Sequence, residues 1–156
     1  MKLEKIYEIV WDGPFEWREG LKHCRNLHVL YQLYGYHPLY GSDVLLYIGS
    51  SHRDIKKRLK THEKEWIHEE WSDIRIRLGS IREFKTWKTQ EIKKGWIKHN
   101  KAMIEAIEGL LIYANQPAYN DRNKSDAAGA QGIRILNTGK LGSILPEISH
   151  KYFLGD

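Results

Sequence analysis

The stretch VLYQLYGYHPLYGSDVLLYIGSSHRDIKKRLKTH, residues 29–62, carries the densest structural and chemical information in the chain. Residues 29–34 and 44–48 are β-branched and aromatic runs, and Gly35, Pro38, Gly41, Ser42 and Asp43 between them are turn formers, so the pair reads as two antiparallel strands. Their connection, residues 35–43, exceeds the usual hairpin loop of about two to five residues, and its Tyr36, His37 and Tyr40 either reach toward a substrate or fold back onto the body. Tyr31 and Tyr47 fall on neighbouring strands. A helix then begins where Ser51 and Asp54 make an S-x-x-D capping box, with an apolar stripe of Ile55, Leu59 and Trp66. Arg58 and His62, four apart on one face, border that stripe rather than pointing squarely at water. An arginine and a histidine held at a core edge near two phenols have the character of a phosphate site.

These residues resemble the GIY-YIG nucleases, which include homing endonucleases, the incision subunit of nucleotide excision repair, structure-specific resolvases and several restriction enzymes. Tyr47-Ile48-Gly49 matches the second half-motif literally, while the first half is Val29-Leu30-Tyr31, with only its tyrosine kept. The resemblance puts the family's helix arginine at Arg58 and its next helix position, tyrosine or histidine, at His62; Ser50 stands where some members carry a lysine. It also implies a metal-binding glutamate on a later helix and an asparagine beyond it. Both have candidates in IEAIEGLLIYANQPAYN, residues 104–120. Glu108 lies one turn from Ile104 and Leu111, whereas Glu105 neighbours Lys101 and Gly109, so Glu108 is the better ligand. Asn120 follows twelve residues later, after Pro117 ends the helix. The resemblance spans roughly residues 27–120 and implies a catalytic set of Tyr31, Tyr47, Gly49, Arg58, His62, Glu108 and Asn120, with the metal on Glu108.

At 156 residues, 41% apolar and 29% charged, the chain has the size and composition of one globular domain, residues 1–156. No apolar run approaches about 18 residues, and MKLEKIYEIVWDGPF at the N-terminus has no hydrophobic signal core, so we expect neither a membrane span nor a signal peptide, and a cytoplasmic location. Cys24 is the only cysteine, which excludes an internal disulfide and zinc sites built on paired cysteines; the eight histidines form no H-E-x-x-H. A metal here is expected to have oxygen ligands, which suits Mg²⁺ or Mn²⁺.

The net charge of +5 points to a polyanionic partner, and the charge is concentrated. Arg82, Lys85, Lys88, Lys93, Lys94, Lys98 and Lys101 face only Glu83 and Glu91, an excess equal to that of the whole chain. Trp87 and Trp96 are interleaved with them, the mixture expected where phosphates are gripped and a base is covered. The competing reading is a solvated amphipathic helix with its tryptophans in the core. Residues 1–26 read as short segments covering the sheet around an Asp12-Gly13-Pro14 turn, too acidic for a phosphate-binding arm. Residues 73–79 alternate as a third strand, with Arg75 and Arg77 sharing its other face, where solvation is favoured over DNA contact. Residues 102–114 read as a helix with Met103, Ile107, Leu110 and Ala114 inward, residues 121–132 as a mobile loop, and residues 133–136 as a short strand ended by an Asn137-Thr138-Gly139 turn. Ile144, Leu145, Ile148, Tyr152 and Phe153 join a core or an interface. The expected fold is α+β, a small antiparallel sheet of about three strands flanked by helices.

The function this implies is metal-dependent DNA endonuclease action on phosphodiester bonds. Glu108 holds the metal, Arg58 meets the charge that develops on the phosphate, and Tyr31, Tyr47 or His62 takes the water's proton. Gly49 allows a close approach of the chain, and Asn120 positions backbone or substrate. No separate DNA-reading module is present, so a sequence-directed cutter, restriction-like or from a mobile element, would read DNA with its terminal additions, hairpin loop and basic segment. A two-strand cut calls for a homodimer or two sequential nicks. The alternatives are a structure-specific repair nuclease and a catalytically silent nucleic-acid-binding module, which metal-dependent plasmid cleavage would separate from a nuclease.

Overall fold

The computed structural model describes residues 3–67, 74–84, 86 and 100–155, without the side chains of Trp66 and Ile67. The strands are β1 (Lys5–Glu16), β2 (His28–His37), β3 (Gly41–Ser50), β4 (Arg75–Glu83), β5 (Ile133–Gly139) and β6 (Glu147–Ser149). Four α-helices accompany them among the described residues: α1 (Trp17–His23), α2 (Ile55–His62), α3 (Lys101–Asn115) and α4 (His150–Leu154). A single sheet runs in the order β3-β2-β4-β1-β5-β6. The β2 strand pairs antiparallel with β3 and β4, β4 continues antiparallel into β1, and β1 runs parallel to β5. The expected small antiparallel sheet of about three strands is therefore corrected to a six-stranded mixed sheet: β4 does not end it, because its second edge is hydrogen-bonded to β1.

Residues 1–26 supply that difference. They do not cover the sheet as short segments; β1 is an interior strand with neighbours on both sides. Its Tyr7, Ile9 and Trp11 alternate into the core, the period of a strand. Gly13-Pro14 is a bulge, not a turn: the register slips by one residue between Asp12 and Phe15, which accommodates a proline with no N–H to give the ladder. Gly13 has φ +118°, and a Cβ there would lie 2.8 Å from the Ile76 carbonyl oxygen.

Both faces of the sheet are covered. On one, α3 buries Ile104, Ile107, Leu110 and Leu111 against Tyr7, Ile9, Trp11, Leu30 and Ile48. On the other, Ile55 and Leu59 of α2 pack with Tyr31, Leu33, Leu46, Ile74, Ile76 and Leu78. Helix α2 has only 8 residues, well below the ~12–15 at which an isolated helix persists, so these contacts are what hold it. Each such buried side chain contributes about 1.5–3 kcal/mol. Asp54, not Ser51, is its N-cap: Asp54 Oδ1 accepts from Lys57 N at 3.0 Å, while Ser51 Oγ accepts from Asp54 N at 3.2 Å and shapes the preceding turn. Asn100 caps α3 by accepting from Met103 N at 2.8 Å, and Gln116, with φ 49° and ψ 57°, ends it before Pro117.

Three further expectations are revised. The β2–β3 connection is short, since strand pairing extends to His37 and Gly41; His37 Nδ1 accepts from Leu39 N and Tyr40 N, leaving Tyr36, Leu39 and Tyr40 exposed at the tip. Asn137 does not turn the chain but lies buried in β5, accepting from Trp11 Nε1 at 2.9 Å. The stretch 121–132 is anchored by Ala127 and Ala130, buried against the α3 side of the core. Toward the C-terminus, Ile144 and Ile148 are buried while Leu145, Tyr152 and Phe153 are exposed. Among the described residues, no helix is long and apolar enough to cross a membrane.

Candidate active site

The site forms at the C-terminal end of β3, an edge strand of the sheet. Sheet geometry puts Tyr31 of β2 directly opposite Gly49 of β3. A Cβ on Gly49 would lie 2.3 Å from both Cζ and Oη of Tyr31, so the glycine is the space that the phenol occupies. Tyr31 is wholly buried. Its Oη lies 2.6 Å from Nε2 of His62, one turn beyond Arg58 on α2. Tyr47 completes the cluster, with its ring centroid 6.1 Å from that of Tyr31 and 4.9 Å from that of His62.

These contacts set the protonation states. Burial, and then the Arg58 charge, hold the His62 imidazole down to about 4, so it is neutral at pH 7. Its Nδ1 faces the Glu65 carboxylate at 4.0 Å, which favours a proton on that nitrogen and leaves the Nε2 lone pair to accept from Tyr31. Burial pushes the Tyr31 phenol well above its usual range, against the pull of the Arg58 guanidinium. Tyr47 is also raised, by burial and then by Glu108, with Arg58 again opposing. At neutral pH both phenols hold their protons and His62 does not. Arg58 is hydrogen-bonded to both tyrosines.

Glu108 arrives from α3. Its Oε2 accepts from Ser50 Oγ at 2.8 Å, and burial raises its carboxyl above the ordinary range while Ser50 and Arg58 oppose. Ser50, where some resembling nucleases carry a lysine, is thus a hydroxyl partner of the candidate ligand. Glu105 lines the same cleft one turn earlier, but it is exposed and pairs with Lys101 at 3.6 Å. Beyond α3 the chain returns along the free edge of β3: Ala118 N donates to Leu45 O and Tyr119 N to Leu46 O. The buried Asn120 side chain then accepts from Ile48 N and donates to Ile48 O, both at 2.9 Å. With its amide used in both directions, Asn120 ties the wall of the cleft to β3 at Ile48. Covering that edge also removes a free pairing surface.

Tyr47, Ser50, Arg58 and Glu108 line one open cleft of about 830 Å³, whose remaining wall is α3 and residues of the stretch from Asn120 to Gly129. A divalent cation fits this donor set. Glu108 presents a carboxylate whose burial leaves its charge poorly compensated, Ser50 adds a hydroxyl, and both are hard oxygen donors. Among the described residues no three His, Cys, Asp or Glu side chains cluster.

The structure gathers Tyr31, Tyr47, Gly49, Arg58, His62, Glu108 and Asn120 at this one end of the sheet. The proposed basic surface is a different matter. Arg82 is ion-paired to Glu8 at 2.9 Å within β4 and β1, a structural position that sequence separation concealed. Lys85, Lys88, Lys93, Lys94 and Lys98, with Trp87 and Trp96, lie outside the described residues. Arg75 is exposed, and Arg77 packs over the Tyr34 ring at 5.2 Å. Asp121, Arg122 and Asn123 are wall residues that sequence reading passed over as loop; their position directly after Asn120 was the available signal. No protein-family model, curated protein or solved structure matches the chain.

Proposed function

We propose that this chain is a metal-dependent DNA endonuclease of the GIY-YIG type, hydrolysing phosphodiester bonds in the cleft at the end of β3. The observation that carries this reading is the convergence of Tyr47, Arg58, Glu108 and Asn120 on one cleft, with Tyr31 and His62 packed behind them. Chemistry other than phosphoryl transfer has less use for a guanidinium set between two phenols beside a buried carboxylate.

Hydrolysis needs an activated water, neutralisation of charge on the pentacovalent phosphorus and support for the leaving oxygen. Arg58 can donate through its planar fork to two phosphate oxygens as their charge builds. Glu108 and Ser50 would hold Mg²⁺ or Mn²⁺, which when bound supplies Lewis-acid charge at the phosphoryl oxygens. Of the three proton-acceptor candidates, Tyr47 alone lines the cleft, while His62, neutral at pH 7, holds the Tyr31 hydroxyl at 2.6 Å behind it. Tyr47 is the phenol that lines the cleft and meets the substrate. Gly49 and Asn120 serve by position, the first by making room for Tyr31 and the second by fixing Ile48.

The partner is DNA, and a double-strand cut would come from two copies of the chain or from two sequential nicks. Incubating supercoiled plasmid with the protein in Mg²⁺ and in EDTA tests the activity. Nicked or linear product in Mg²⁺ alone is expected, whereas intact plasmid bound by the protein would favour a silent binding module.

A further inference from the structure

We propose that Arg122 grips a second backbone phosphate of the DNA, next to the one met by Arg58. This rests on the nuclease reading above and extends it to a residue with no assigned role. Arg122 is exposed on the wall of the same cleft that Arg58 and Glu108 line. Elsewhere in the fold Arg82 is engaged with Glu8, Arg134 with Glu4 and Glu147, and Arg77 with the Tyr34 ring and the Lys140 carbonyl, so Arg58 and Arg122 are the arginines that line the cleft. Among the described residues Arg122 has no ion-pair or hydrogen-bond partner.

Its backbone is fixed although it lies outside regular structure. Asn120, two residues before it, is bonded twice to Ile48. Gln116 Nε2 donates to Lys124 O at 2.8 Å, Asn123 takes a left-handed conformation with φ 59° and packs on Gly109, and Ala127 and Ala130 are buried. The backbone that carries the guanidinium is thus held, so the loop itself need not be ordered when the side chain binds. The cleft, at about 830 Å³, exceeds what a single phosphate fills. A polyanionic strand crossing it past Arg58 presents further phosphates, and a fixed cation on the cleft wall is the complement for one of them. The role is binding rather than chemistry.

The test compares wild type, Arg122→Ala and Arg122→Lys by anisotropy of a fluorescein-labelled duplex in EDTA across a salt series, beside single-turnover cleavage in Mg²⁺ at saturating DNA. Losing one phosphate contact lowers the salt slope by about 0.9, so between 50 and 200 mM salt the wild type should lose about 3.5-fold more affinity than Arg122→Ala. Arg122→Lys should keep the wild-type slope. The saturated cleavage rate of Arg122→Ala should fall far less than that of Arg58→Ala. An unchanged slope in Arg122→Ala, in a protein that melts like wild type and cuts DNA, overturns the phosphate grip and leaves the nuclease reading intact. An Arg122-dependent slope in a protein that never cuts does the reverse.

Discussion

Gly49→Ala is the perturbation whose cost follows most directly from the geometry. An added methyl would sit 2.3 Å from Cζ and Oη of Tyr31 and 2.8 Å from Cε2. Ordinary carbon contact begins near 3.5 Å, so the ring would have to withdraw by about 1.2 Å. It has nowhere to go: Tyr31 is wholly buried, its backbone is paired on both sides, and its hydroxyl is tied to His62 at 2.6 Å. Overpacking of this kind costs about 1–3 kcal/mol, and separating Tyr31 from His62 leaves buried polar atoms unpaired for about 1–3 kcal/mol more. The expected destabilisation is about 2–5 kcal/mol, a fall in Tm of roughly 5–15 °C for a chain of this size. Thermal and denaturant melts measure it. Because the strain is between two specific residues, Tyr31→Leu should be much less harmful in the Gly49→Ala background than in wild type. A Gly49→Ala protein within about 0.5 kcal/mol of wild type, a typical surface-substitution effect, would refute the packing described for the YIG glycine.

Other outcomes follow from the same site. Arg58→Ala should cut the single-turnover rate by roughly three to five powers of ten if it resembles arginines of phosphoryl transfer. Arg58→Lys should restore little of that rate, and a lowered Tm with a near-normal rate would remove Arg58 from the chemistry. Asn120→Asp should be at least as destabilising as Asn120→Ala, about 1–3 kcal/mol, because a carboxylate cannot donate to Ile48 O and is itself buried; equal stability to wild type would contradict the two-point bond. His62 gives a pH signature: its folded pKa is held down to about 4, so the unfolded chain takes the proton first. Stability should decline as pH falls from about 6.5 to about 4, by about 2–4 kcal/mol from this group, with no further loss below. The raised Glu108 carboxyl acts with the opposite sign, gaining stability as pH falls, so the quantity to measure is wild type minus His62→Gln. A difference that stays flat over that range would show that His62 is not held neutral.

The centre of the site was legible because it is local. Two strands, a turn and a capped helix between residues 29 and 62 place Tyr31, Tyr47, Arg58 and His62 by their own periodicity, and Pro117 marks where α3 must end. The larger sheet was not, because its joining contacts are remote. The β1–β5 pairing joins Tyr7 to Ile135, and no local pattern announces a parallel partner so far along the chain. The Gly13-Pro14 pair hid the alternation of β1, since proline in a strand reads as a break unless a bulge absorbs it. Asn137 looked like a turn residue and proved to be the buried partner of Trp11. The charge of Arg82 counted toward a basic surface only until Glu8 was found beside it. Similarly, the pairing of Ser50 with Glu108 depends on α3 crossing the end of β3, which sequence separation conceals.

The most direct measurement is Mg²⁺-dependent plasmid cleavage by Glu108→Gln beside Glu105→Gln, with DNA affinity recorded for both. Both glutamates line the cleft, but Glu108 is part-buried and bonded to Ser50, while Glu105 is exposed and paired with Lys101. Glutamine at position 108 keeps the shape and can still bond to Ser50, but removes the anionic oxygen that a hard cation requires. Cleavage should vanish in Glu108→Gln with affinity nearly intact, and persist in Glu105→Gln. Undiminished cleavage by Glu108→Gln would contradict a metal-dependent phosphodiesterase centre built on this cleft.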